Sequence, residues 1–154
     1  MELVLGRQVL PNFDRASVEV ARLRSVARVR LVETQSSVTH AMIAEARGVD
    51  ENTGRQWAKR LRRHHQLFGC DVGGVILFPS FQFDADFAIR PVVAAVNMAL
   101  HADGFGEWAM WHWWTAPNSW LERRSPVQRL EALPEPHAKR DLLQALGHAH
   151  DGEG

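Results

Sequence analysis

The chain is 154 residues long and 45% hydrophobic, enough apolar material for one ordinary domain or two small ones and too much for a disordered chain. Its 18 Lys and Arg balance its 18 Asp and Glu, so whole-chain charge points to no class of partner. The balance is uneven: residues 1–63 hold 12 basic and 7 acidic side chains, a net +5, while residues 64–154 hold 6 and 11, a net −5. Such asymmetry suggests two jobs on one chain, with the basic half the candidate for nucleic acid.

One cysteine, Cys70, offers neither an internal disulfide nor zinc-finger spacing, which fits a reducing compartment. Residues 1–10 are apolar but interrupted by Glu2 and Arg7, with no small-residue cleavage site after them, so they do not read as a signal peptide. No apolar run approaches the roughly 20 residues that cross a bilayer. The expectation is a soluble, cytoplasmic protein with no membrane partner.

Asp14 is placed to cap a helix over residues 15–33, where Val20, Leu23, Ala27 and Leu31 recur at steps of three and four. Arg15, Arg22, Arg24, Arg28 and Arg30 occupy the remaining arc, either as a solvated face or as one lying along a phosphate backbone. After a polar break at residues 34–37, Thr39 caps a short helix over 40–47 that Gly48 ends, and Asp50 caps a third from 51 to about 64. Two short helices joined by Gly48, Val49 and Asp50 have the form of a helix-turn-helix. Ile43, Ala44, Val49 and Trp57 stand where that motif packs its helices together. Gly54 departs from it, standing where a branched apolar residue usually fills the crossing.

Two short strands are predicted around Gly73 and Gly74, which supply hairpin torsions. A hairpin directly after a helix-turn-helix makes a wing, and the arrangement resembles the small winged modules of the MerR and excisionase type. From Pro91 the pattern is helical again, with Val92, Val93, Val96 and Leu100 in line until Gly104 and Gly106. Helices over 107–114, 127–133 and 137–146 follow, separated by residues 115–118 and by Pro134 and Pro136. The fold expected is mainly α: a DNA-binding helix-turn-helix domain with a hairpin wing over 1–83, a small helical domain over 84–146, and a flexible tail over 147–154.

The run from Arg55 to Arg63 concentrates the basic character. Trp57 and Leu61, four apart, turn inward on a helix and leave Arg55, Lys59, Arg62 and Arg63 outward, with Gln56 and Arg60 on the flanks. Asn52, Thr53, Arg55 and Gln56, at the helix start, are the types that reach base edges, and Lys59, Arg60, Arg62 and Arg63 suit phosphates. Such a helix is expected to hold operator DNA, and two copies in a homodimer would read a palindrome. Residues 1–10 are a candidate for the dimer contact.

Five of the six tryptophans fall between residues 108 and 120. Trp108, Trp111 and Trp114 are three apart and can share a buried face, which leaves Trp113 and Trp120 as candidates for an exposed anchor. Histidines show no metal-ligand spacing, and no phosphate loop, nucleophile elbow or Cys–His pairing is visible. No catalytic residue, metal or cofactor is expected.

The stretch from Trp108 onward, with Thr115, Pro117, Asn118, Trp120, Leu121, Arg123, Arg124, Ser125, Pro126, Val127 and Leu130, resembles the toxin-binding domain of Xre/MbcA/ParS-type antitoxins. That pattern is an apolar helix, a Thr-Pro-Asn loop, a leucine, a glycine-rich basic turn and a helix opened by proline. Glu122, Arg123 and Arg124 stand where the family has paired glycines. The resemblance implies a type II antitoxin whose partner is a NAD-consuming RES-domain toxin, occluded sterically, with autorepression through an N-terminal DNA-binding domain. Carried over, Pro117, Asn118, Trp120, Leu121, Arg123, Arg124, Pro126 and Val127 are the candidate toxin contacts, and Trp113 joins them as the other exposed-anchor candidate. Asn118 is equally a residue that bonds its own loop backbone. The rival expectation is a stand-alone winged-helix regulator that senses a small molecule in a Trp-lined pocket.

Overall fold

The computed structural model describes residues 15–153, with side chains described as far as residue 147. The N-cap assigned to Asp14 and the dimer contact assigned to residues 1–10 lie outside the described residues. The chain divides into two compact units, Met1–Gln35 and Ser36–Gly154. The boundary expected at residues 83 and 84 falls inside the second unit, so the winged module and the C-terminal helices share one body.

In the first unit, α1 (Arg15–Thr34) forms where its periodicity predicts, but it has no buried residue. The stripe through Val20 and Leu23 is exposed, and so are Val18, Val26 and Val29 on the opposite arc. Apolar residues on both sides, separated by arginines, give this helix no single face to bury. Arg22 and Glu19 pair at 2.6 Å on its surface.

The second unit opens with β1 (Ser37–Val38), a strand within what the sequence suggests is only a polar break. Then come α2 (His40–Arg47) and α3 (Glu51–Arg63), which start at the predicted caps: Thr39 Oγ1 accepts from the Met42 amide, and Asp50 Oδ1 from the Thr53 amide. Gly48 between them is left-handed at φ 71°. β2 (Cys70–Val72) and β3 (Val75–Pro79) form the hairpin, Cys70 opposite Leu77 and Val72 opposite Val75. Gly73 and Gly74 both have positive φ, 60° and 89°, as a two-residue type I′ turn requires. β1 pairs antiparallel with the far edge of β3, making a three-stranded sheet in the order β1-β3-β2.

A 3₁₀ turn (Ser80–Gln82) leads on to α4 (Pro91–Ala102), α5 (Glu107–Thr115), a second 3₁₀ turn (Ser119–Leu121), α6 (Pro126–Ala132) and α7 (Glu135–Glu153). Ser125 and Gln128 close a capping box at the start of α6. The backbone of α7 stays helical through Gly147 to Glu153, where the polar composition suggests a fraying tail. The fold is mainly α with a small antiparallel sheet, as the sequence predicts.

One cluster of buried residues, Val38, Ile43, Ala58, Leu67, Phe78 and Phe83, fastens α2 and α3 to the sheet. Gly54 explains itself at the α2–α3 crossing: a Cβ there would lie 2.7 Å from Ala44 Cβ and 3.0 Å from Ala44 Cα. The branched residue usual at this position is excluded because the helices are too close. Gly54→Ala is therefore expected to lower stability by about 1–3 kcal/mol, although alanine gains ~1 kcal/mol of helix propensity. A higher thermal midpoint in the alanine variant would contradict this account of the crossing.

Buried polar side chains join the winged module to the C-terminal helices. Gln82 Nε2 donates to the Phe68 and Pro79 carbonyls, and its Oε1 accepts from the Phe68 amide and from Asn97 Nδ2. Asn97 Nδ2 also donates to the Gln66 carbonyl, and Asn97 Oδ1 accepts from Trp114 Nε1 at 2.8 Å. Gln82, Asn97 and Trp114 are fully buried. On the surface, Arg90 before α4 bonds Glu131 of α6 at 2.9 Å and Glu135 of α7 at 3.5 Å.

Candidate functional site

α3 separates its residues as the predicted pattern requires. Gly54 and Ala58 are buried, Trp57 and Leu61 are half-buried against the core, and Asn52, Thr53, Arg55, Gln56, Lys59, Arg60 and Arg63 are exposed. Trp57 is clamped: its ring lies 6.3 Å from that of Phe83, and the Arg47 guanidinium stands 3.9 Å above it while donating to the Phe87 carbonyl at 2.7 Å. Burial of Gly54 and Ala58, with Trp57 and Leu61 against the core, sets which side of α3 faces outward, and the Arg47 cation adds a favourable contact to the Trp57 ring.

Three of the predicted DNA contacts have partners within the chain. The Thr53 hydroxyl donates to Asp50 Oδ2 at 3.0 Å, so it serves the cap. Hydrogen bonds from the Thr53 amide and hydroxyl hold the Asp50 carboxyl below its usual pKa. Arg55 meets Glu51 at 3.2 Å, a pair exposed on both sides and cheap to open. Arg62 departs furthest from expectation. Its Nε and Nη2 fork onto Glu107 at 2.6 and 2.7 Å, and Nη2 reaches the Gly69 carbonyl at 3.3 Å. Glu107 raises the Arg62 pKa further and is itself held by the Gly69 amide at 3.0 Å. Arg62 thus ties α3 to α5, a pairing invisible in sequence because its two members lie 45 residues apart.

His40, at the start of α2, stacks edge-on against Phe78 with centroids 5.0 Å apart. Burial, then the charges of Arg55 and Arg62, push its pKa below the usual histidine range against the opposing pull of Glu51.

The C-terminal candidates divide by burial. Trp113, expected as an exposed anchor, is buried and meets Trp114 edge-on at 5.3 Å. Trp111 and Trp114 are buried as predicted, while Trp108 is only half-buried and stacks on Trp111 at 5.6 Å. α5 is apolar on nearly every side and is enclosed accordingly, so the three-residue step underestimates how many of its tryptophans enter the core. Leu121 and Pro126 are also buried, and Val127 is half-buried. Pro117, Trp120, Arg123 and Arg124 remain exposed, Trp120 at 55%.

These exposed residues stand on a closed turn. The Asn118 amide donates to the Arg124 carbonyl, the Arg123 amide to the Asn118 carbonyl, and Asn118 Oδ1 accepts from the Trp120 amide at 2.9 Å. Asn118 therefore builds the loop, the second of its two expected roles. Glu122 and Arg123 are left-handed in succession, at φ 58° and 65°. Both lack the glycine that adopts this conformation without steric cost. Glu122→Gly or Arg123→Gly is expected to raise stability by about 0.5–1 kcal/mol, read as a higher urea midpoint. A drop of similar size would show that these side chains hold the turn rather than strain it.

Two cavities flank these surfaces. One of about 460 Å³ lies at the C-terminal end of α3, between Lys59, Arg63, His65, His101 and Phe105. The other, about 340 Å³, opens beside Trp120 and is lined by Glu122, Arg129, Asp141 and Gln144. Trp111, Trp113 and Trp114 line neither. Among the described residues no cluster of His, Cys, Asp or Glu could hold a metal ion, and no helix is long and apolar enough to cross a membrane.

No protein-family model matches the chain, and no curated protein matches it. Among solved structures it is similar to Rv2175c, determined by NMR, with a TM-score of 0.58 and 20% identity over 75% of this chain and 82% of that one. At that identity the likeness is one of fold.

Proposed function

We propose that the chain is a DNA-binding antitoxin: a winged helix-turn-helix holds operator DNA and represses its own operon, and the Trp120 turn grips a RES-domain toxin and blocks it sterically. The observation that carries the DNA reading is the outward face of α3. Asn52, Arg55 and Gln56 are exposed at its start and Lys59, Arg60 and Arg63 farther along, on a helix whose opposite side is packed through Gly54, Trp57, Ala58 and Leu61. Base-reading types at the N-terminal end and phosphate-binding types beyond it suit a helix that enters the major groove. Arg62 is left out of the contact set because Glu107 occupies it, and Thr53 contributes through its cap.

The toxin reading is supported by the turn at residues 118–124. Glu122 and Arg123, which stand where Xre/MbcA/ParS-type antitoxins have paired glycines, are both left-handed, a conformation glycine adopts without steric cost. The contact set contracts to Pro117, Trp120, Arg123 and Arg124, with Val127 at its edge. Leu121 and Pro126 support it from beneath.

Steric blocking needs no catalytic group, and a homodimer of this chain would place two copies of α3 on a palindrome. The sensor alternative would have to use Trp120, which lines the second cavity, because Trp111, Trp113 and Trp114 are buried. The test is capture of a RES-domain toxin by the full chain. Trp120→Ala is expected to weaken the complex by about 2 kcal/mol or more, as loss of an aromatic anchor does, measured by surface plasmon resonance. Failure of the folded chain to bind such a toxin would end the antitoxin reading and leave the DNA reading standing.

A further inference from the structure

The cavity at the end of α3 has the composition of a ligand site. Lys59 and Arg63 come from α3, His65 from the loop after it, and His101 from the last turn of α4. Arg62 and Glu107 also line it, but they neutralise each other through two hydrogen bonds, and the Gly69 amide takes a further share of Glu107. Glu107 is the single carboxylate on its wall, so the uncompensated charge is positive. Leu67, Phe68, Phe105 and Met110 supply an apolar lining.

The two histidines meet at the rim of the cavity. His65 is left-handed at φ 61°, and its ring stacks on that of His101 with centroids 3.3 Å apart and planes 10° from parallel. The left-handed His65 closes the end of α3, its amide donating to the Arg62 carbonyl and the Gln66 amide to the Leu61 carbonyl, and this cap sets where its ring stands. The stack adds two potential N–H donors to a lining that also holds Lys59 and Arg63.

We propose that this cavity binds a small organic anion, a phosphate or carboxylate head on an apolar body. The head is met by Lys59 and Arg63, with His65 and His101 as hydrogen-bond donors, and the body lies on Phe105 and Met110. The volume, about 460 Å³, is within the usual range for small-molecule sites. Lys59 and Arg63 also belong to the proposed DNA contact set, so an anion and DNA would share these two side chains, and binding of the anion is therefore read in the absence of DNA.

Isothermal titration calorimetry of the full chain without DNA tests it, with phenyl phosphate, phenylacetate and neutral benzyl alcohol as probes. At least one of the two anions is expected to bind with a dissociation constant of about 1 mM or below, and benzyl alcohol at least tenfold more weakly. Whichever anion binds the tighter identifies the head group. The Lys59→Gln, Arg63→Gln double variant, folded by circular dichroism, should bind that anion at least tenfold more weakly, and His101→Gln should weaken it about threefold. Equal binding of the alcohol, no binding of either anion, or undiminished binding by the folded double variant would overturn the proposal.

Discussion

Arg55→Ala combined with Arg60→Ala is expected to weaken operator binding about 100-fold at moderate salt. Arg55, near the start of α3, is placed to hold a base edge, and a good bidentate contact of that kind contributes about 1–3 kcal/mol of discrimination. Arg60, farther along, is placed for phosphate, and each phosphate neutralised adds about −0.9 to the slope of log affinity against log salt. The double variant should therefore lose affinity, lose sequence preference at one position, and titrate with a shallower salt slope. Fluorescence anisotropy over a series of salt concentrations measures all three. The Arg55–Glu51 pair hardly offsets this, because both side chains are more than half exposed. Unaltered binding by the folded double variant, or wild-type binding insensitive to salt, would remove α3 from the interface.

Asn97→Ala carries the largest expected effect on stability. Asn97 is fully buried and bonds Gln66, Gln82 and Trp114. Truncation leaves the Trp114 Nε1 donor and the Gln66 carbonyl without that partner, at about 1–3 kcal/mol for each buried group, and opens a small void besides. A loss of about 3–5 kcal/mol is expected from urea denaturation, a large share of the 5–15 kcal/mol that holds a typical domain. In a double-mutant cycle with Trp114→Phe, the two changes should couple by about 1 kcal/mol or more, because they remove the same hydrogen bond. A loss below about 1 kcal/mol would mean that the network is dispensable and that apolar packing alone joins the winged module to the C-terminal helices.

The elements legible in sequence share a physical feature: the residues that specify them are neighbours in the chain. Thr39 and Asp50 cap helices by bonding amides three residues on, and Gly73 with Gly74 turns a hairpin with its own torsions. The inward turn of Trp57 follows from helix periodicity in the same way. Misreadings arise where burial depends on what covers a face. Trp113 is absent from the three-residue stripe yet buried, and the stripe on α1 is present yet exposed. Periodicity orders the residues around a helix without saying how many sides are covered.

The candidate site divides along the same line. Composition alone selects α3 as the basic helix and residues 117–124 as an aromatic, proline-bent turn. The side chains available there were decided by contacts across tens of residues: Glu107 takes Arg62, Asn118 spends its oxygen on Trp120, and burial withdraws Trp113, Leu121 and Pro126.

Local chemistry, acting over three or four residues, was sufficient to determine from the sequence the starts of α2 and α3, the turn between them, the hairpin and the charge of α3. Tertiary packing decided the remainder: a third strand at residues 37–38, a glycine demanded by Ala44, a polar network under Asn97, and a wing that shares one body with the helices after it. Those features depend on distances between residues far apart in the chain, and such distances exist only once the core has closed.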